Sequence, residues 1–229
     1  MASKKTPPCP GNPEDYVLVK TREGMFWRRR RGSIKPAKLN TGFRKAVETT
    51  KIIAPAAKRI ITALQPYLRG LRTGRINIRV GNALRRSLKE KNRLLLSYLK
   101  GVEVQAEYPL DELLTRPYNV YEKAKILHIE IPIEPTTVRP LNRLVTHYYF
   151  EAVLLYGAIN KERELKTACV ESPLYSLNNK AKTVCVLELP LPEKDDWCVL
   201  LKLSFLEGNE LAVHTKHYRT KVIEGKKEL

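Results

Sequence analysis

Between Phe43 and Lys100 the apolar periodicity of helices and a dense run of positive charge fall on the same residues, and this coincidence restricts the fold more than any other feature of the chain. Phe43, Ala46, Val47, Thr50, Ile53, Ala54, Ala57, Ile60, Ile61, Leu64 and Leu68 recur in steps of mostly three and four, the spacing of one helix face. Thr41 is suited to cap that helix. Pro55 and Pro66 fall inside the pattern, and each removes a backbone donor and crowds the preceding turn. The spacing therefore predicts a kink or break near Ala54, another near Gln65, and a helix in two pieces. After a turn at Gly70–Gly74, Val80, Leu84, Leu88, Leu95 and Leu99 predict a second helix, closed by Gly101 as its left-handed terminal residue. The expected result is a helical hairpin.

Between the apolar rows stand Arg44, Lys45, Lys51, Lys58, Arg59, Arg69, Arg72, Arg75, Arg79, Arg85, Arg86, Lys89, Lys91, Arg93 and Lys100, against Glu48 and Glu90. The formal net charge of +18 is accordingly uneven. Residues 1–100 hold 25 Lys and Arg against 5 Asp and Glu, or +20, whereas residues 101–229 hold 17 against 19, or −2. Such a field favours anionic partners: nucleic acid, anionic lipid headgroups or an acidic protein surface. A face of charge that is simply solvated gives the same composition.

A chain of 229 residues with 43% hydrophobic content can bury a core without covalent staples. No run of 18 apolar residues occurs, and Met1–Tyr16 has lysines and prolines where a signal peptide needs an apolar core. The expectation is no leader, no membrane span and a cytoplasmic location. Cys9, Cys169, Cys185 and Cys198 show no C-x-x-C spacing, which fits free thiols in a reducing compartment better than a disulfide framework or a zinc site.

Residues 1–15 are rich in Pro, Lys and Gly and are expected to be a disordered tail. Tyr16–Val19 and Met25–Trp27, joined through Thr21–Gly24, predict a small hairpin that runs into Arg28, Arg29, Arg30 and Arg31. Aromatics beside an arginine run can stack on bases while the guanidiniums hold phosphates, or pack on the helices while the arginines face water. Ser33–Asn40 reads as a connector, so a basic hairpin-plus-helix region is expected over 16–101.

These elements carry a resemblance. An N-terminal hairpin ending in an aromatic and basic run (Met25–Gly32), a long basic helix with Leu64-Gln65-Pro66-Tyr67-Leu68, a second helix and a β-rich C-terminal half resemble a family of uncharacterised proteins from Bacteroidota. The resemblance covers most of the chain in the order of its elements, departs from the commoner pattern at Pro55, and implies architecture and non-enzymatic character without supplying a site.

Past Gly101 the pattern becomes β-like. Val102–Ala106 predicts a strand, and Asp111–Leu114 a short helical turn or an extended edge. Ile126–Ile133 alternates strictly, with Pro132 marking a sheet edge or a strand end. His147–Ile159 and Leu165–Val170 are strands joined by the charged loop Asn160–Glu164. Thr183–Leu189 and Trp197–Leu206 are apolar enough to be covered on both faces or to lie near the core centre, and Leu206–Glu210 is a hairpin connection returning through Leu211–Ile223. The fold class expected is α+β: the basic helical hairpin with its β-hairpin, then an antiparallel β-sandwich of immunoglobulin type over 102–224, with 225–229 as a tail.

No catalytic constellation emerges. His214 and His217, three apart in an expected strand, point to opposite faces and read as surface residues. Asp195 and Asp196 suit a turn, Gly70-x-x-x-Gly74 lacks the Lys-Ser/Thr of a phosphate loop, and pairing Cys169 with His147 or Cys185 with His128 requires assuming the fold. A helix-turn-helix built from Ala56–Gln65 and Gly81–Lys91 has too long a turn. The expectation is a non-enzyme without metal or cofactor, an accessory binding protein. Arg28, Arg29, Arg30, Arg31, Arg69, Arg72, Arg75, Arg79, Arg85, Arg86 and Lys89 would hold a polyanion, nucleic acid foremost, and the sandwich a protein partner. The alternative is a structural subunit whose basic face meets acidic protein.

Overall fold

The structure, a computed structural model, describes residues 8–20, 24–30, 41–139, 144–159, 165–178, 180–208, 210–212, 214 and 217–226. Of the expectations above, residues 1–7 of the tail, Thr21–Glu23, the stretch from Arg31 to Asn40, the loop Asn160–Glu164 and residues 227–229 lie outside these. The chain forms two compact units, Met1–Val47 and Glu48–Leu229. The helical cover and the large sheets thus share a unit and do not divide at residues 101–102.

In the first unit, β1 (Tyr16–Lys20) and β2 (Met25–Arg29) pair antiparallel, with Tyr16 opposite Arg29 and Lys20 opposite Met25. A 3-10 turn at Pro13–Asp15 precedes them, begun by Asn12, whose Oδ1 accepts the Glu14 N–H at 3.2 Å. The stretch expected to be a tail therefore contains a capped turn.

α1 (Thr41–Leu64) buries Ile53, Ala56, Ala57, Ile60 and Leu64. It continues through Pro55, against the expected break at Ala54. Pro55 is exposed, and the carbonyl it leaves without a helical donor belongs to the exposed Lys51, while buried residues on both sides hold the helix to the core. The second expected break is present: the helix stops at Leu64 and a 3-10 turn with Pro66 follows at Gln65–Leu68.

α2 (Ile76–Lys91) ends at Asn92, which is left-handed (φ 53°) and donates its N–H to the Leu88 carbonyl at 3.1 Å. It stops well short of Gly101. The Ser87 hydroxyl donates to the Arg93 carbonyl at 2.7 Å and accepts the Leu95 N–H at 3.0 Å, turning the chain back. Leu95 and Leu99 reach the interior from an extended residue and a 3-10 turn (Leu96–Leu99), not from a helical row. Gly101 is left-handed (φ 84°), but it serves to pass the chain alongside the last strand, with its N–H on the Val222 carbonyl at 2.8 Å.

Among the described residues every strand pair is antiparallel. The larger sheet is built on β5 (His147–Tyr156) and β9 (Trp197–Glu207), which pair from His147–Leu206 to Tyr156–Trp197. β6 (Lys166–Glu171) and the two-residue β7 (Tyr175–Ser176) flank β5; β10 (Glu210–Leu211) and β11 (Tyr218–Gly225) flank β9. The smaller sheet runs β3 (Asn119–Lys123), β4 (Ile126–Ile133), β8 (Thr183–Pro190). Pro132 fits there because β3 pairs with β4 only as far as Glu130, so its missing N–H falls on a local edge. β8 alternates buried and exposed residues, so it is covered on one face and not two, whereas β9 is buried on both. Val102–Ala106 is not a strand: only Glu103 bridges to Lys221, the backbone being tied to β11 by Val104 N–H on Thr220 O at 2.9 Å.

The larger sheet separates two cores. Phe150, Ala152, Leu154, Val199, Leu201, Leu203 and Phe205 on one face pack with Leu127, Ile129, Ile131, Leu187 and Leu189 of the smaller sheet. Val153, Leu155, Cys198, Leu200 and Val222 on the other pack with Ile53, Ile60, Val80, Leu84 and Leu96 of the helical cover. β5 and β9 read as near-continuous apolar runs because both faces are covered.

Candidate functional site

Ile76, Val80, Gly81, Ala83, Leu84 and Ser87 turn one side of α2 to the core. The opposite side carries Arg75, Arg79, Asn82, Arg86 and Lys89 in steps of three and four, with Arg85 beside them. Arg79, Arg85, Arg86 and Lys89 line a cleft of about 600 Å³ whose far wall is Gly101, Val102, Glu103 and Ala106. Arg79 and Ala106 also line a second cleft of about 350 Å³, with Arg72, Arg75, Gln105 and Glu107. Six expected cations thus border two adjoining clefts. Arg69 is exposed but lines neither, Arg28, Arg29 and Arg30 are exposed in the other compact unit, and Arg31 lies outside the described residues.

The cations are not equivalent. Arg79 donates to the carbonyls of Val104 and, at 3.3 Å, of Gly74, so its guanidinium fastens α2 to the 101–107 segment. Burial lowers its pKa, and the charges of Glu103 and Glu107 act in the opposite direction. Arg72 pairs with Glu107 at 3.2 Å, both side chains being largely exposed, a contact worth about 1 kcal/mol or less. Arg85 donates to Asn82 Oδ1 at 2.8 Å from an exposed position.

Glu103 and Glu107 were invisible as site residues in the sequence, because their segment is irregular and its place is set by hydrogen bonds to β11 more than 100 residues away. Burial pushes the Glu103 carboxyl up to about 7; the Leu110 N–H bond and Lys221 oppose that rise without cancelling it. The larger cleft therefore holds four basic side chains and one carboxyl whose charge changes near neutral pH. Such a site can bind a multivalent anion electrostatically and accept a donor at Glu103.

Groups expected to be inert are placed as follows. Burial raises the thiols of Cys169, to about 11, and of Cys185 and Cys198, none of which is thereby activated as a nucleophile. Ligand atoms of Glu151, Cys169 and Glu171 lie within 4.8 Å of one another, but Lys202 already neutralises Glu151. His217 is fully buried, against its reading as a surface residue, and its ring lies 6.1 Å from that of exposed His214. Among the described residues no helix is long and apolar enough to cross a membrane.

No family model matches the chain, and no curated protein matches it. Among solved structures, the solution structure of R. palustris CsgH aligns at 6% identity over 47% of this chain and 89% of that one. The TM-score is 0.25, too low to carry an argument about fold or function.

Proposed function

We propose that this chain is a non-catalytic accessory protein that holds nucleic acid on its basic helical face and a protein partner on its β-sandwich, in a reducing, cytoplasmic setting. The observation that carries the reading is the convergence of Arg79, Arg85, Arg86 and Lys89 on one cleft, joined through Arg79 to a second lined by Arg72 and Arg75. Guanidiniums in a row suit successive phosphates, each held through paired N–H donors. Arg69 and the exposed Arg28, Arg29 and Arg30 extend the same chemistry, and Arg31 continues it in sequence. Glu103 and Glu107 oppose close approach of phosphate on one wall, which orients the anion toward α2.

An immunoglobulin-like reading of the sandwich is supported by the strand order. β3, β4 and β8 fall in one sheet and β6, β5, β9 and β11 in the other, so the chain changes sheet after β4, before β8 and again after it, the partition of a Greek-key sandwich.

The test is a salt series on the full chain with duplex and single-stranded oligonucleotides, read by fluorescence anisotropy. Contact with about six phosphates gives a slope of roughly −5 in log affinity against log salt for a duplex. Arg85→Glu with Arg86→Glu should flatten that slope and weaken all sequences about equally, since phosphate contacts carry no base readout. Absence of binding at about 50 mM salt, or indifference to the double reversal, would replace this reading by that of a structural subunit whose basic face meets acidic protein.

A further inference from the structure

A groove of about 550 Å³ runs between α1 and α2 and shares Asn82 and Arg85 with the larger cleft and no residue with the smaller. Its exposed surface is mostly apolar, with Ala54 and Ile61 from α1 and Gly81 and Ile78 from α2, and Thr50, Thr62, Asn77 and Asn82 add polar atoms. Ile78 is 54% exposed, a large aliphatic side chain in water at the groove's edge. Gly81 supplies no side chain, which deepens the floor, and a Cβ there would meet only Ile53 Cγ2 at an ordinary 3.6 Å. Lys58 on α1 and Arg85 on α2 are the charged residues that line it, and among the described residues no acid does. A phosphate backbone has nothing apolar to place in such a groove.

We infer that this groove docks an acidic amphipathic helix of a protein partner, with the partner's apolar row on Ile61, Ile78 and the small residues and its carboxylates on Lys58 and Arg85. The chemistry is that of a helix laid into a groove, where anchors at i, i+3, i+4 and i+7 fill the floor and rim charges set the choice of partner. A second copy of this chain fits less well, since a formal net charge of +18 would bring like charge to a positive rim. The site does not depend on the nucleic-acid reading, because Lys58 and Ile78 line neither α2 cleft.

The experiment uses the full chain and three labelled 18-residue peptides: a Leu/Glu amphipathic helix, a Leu/Lys helix with the same apolar row, and a scrambled Leu/Glu peptide of equal composition. The Leu/Glu helix should bind about tenfold or more tighter than either control. Ile78→Ser and Lys58→Glu should each weaken it about fivefold or more, and Ile78→Ser should do so while leaving thermal unfolding and oligonucleotide binding as in the wild type. No binding at about 100 μM, equal binding of the scrambled peptide, or indifference to both substitutions would overturn the inference. Self-association that Ile78→Ser abolishes would assign the groove to a second copy and overturn it too.

Discussion

The Lys202 ammonium lies 2.5 Å from the Glu151 carboxylate, directly across the β9–β5 pair, with both side chains more than nine-tenths buried. The Ser204 hydroxyl donates to the same carboxylate at 3.4 Å, and the Tyr218 ring lies 5.9 Å from the ammonium. Removing one partner strands the other charge out of water, whereas removing both restores neutrality. Lys202→Met should therefore cost about 3–5 kcal/mol in a urea melt, and the double variant Glu151→Leu/Lys202→Met much less. A double variant as unstable as the single one would mean that packing, not charge, explains the loss.

The burial of α2 grades along its length. Leu84 is wholly enclosed, whereas Leu88, near the C-terminal end of the same row, is only half-buried. Leu84→Ala should destabilise by about 2–5 kcal/mol and Leu88→Ala by roughly half as much or less. Equal losses in denaturant melts would contradict this graded enclosure.

Glu103 makes stability depend on pH. Its folded pKa of about 7 lies above the usual carboxylate value, so the folded chain retains a proton that the unfolded chain has released between about pH 4.5 and 7. Stability should fall through that window as pH rises and level off above it. Asp196, also raised by burial, contributes a fall of the same sign. Glu103→Gln should remove the Glu103 share of the slope and be more stable than the wild type at pH 8. Superimposable wild-type and variant profiles from thermal melts between about pH 5 and 8 would refute this assignment.

Two glycines of one turn should behave differently. Gly70 is left-handed (φ 79°), and a Cβ there would fall 2.6 Å from the Tyr218 ring; Gly74 is not left-handed and has nothing within 4 Å of such an atom. Gly70→Ala should cost about 2–4 kcal/mol from backbone strain and overpacking together. Gly74→Ala should stay within about 0.5 kcal/mol of the wild type. The comparison is made by calorimetry on both variants.

What the sequence determined by itself is local and periodic. The alternation Leu127, Ile129, Ile131, Ile133 identified β4 and its buried face, and the steps of three and four identified α1 and the burial of Ile53, Ala57, Ile60 and Leu64, whereas Phe43, Val47 and Ala54 of the same row are exposed. The N-terminal hairpin and the pairing of Leu206–Glu207 with Glu210–Leu211 were legible from turn residues set between apolar runs. The concentration of arginine along Arg69–Lys89 was equally plain. What only the tertiary structure decided depends on contacts between distant residues. α2 stops at Asn92 because Ser87 captures Arg93 and Leu95, and α1 survives Pro55 because its buried residues hold it on both sides. Glu103 enters the basic cleft because its neighbours hydrogen-bond to β11, and Glu151 meets Lys202 because β5 and β9 pair in one register out of many. Periodicity states which face is apolar; only packing states what that face, or the charge opposite it, will meet.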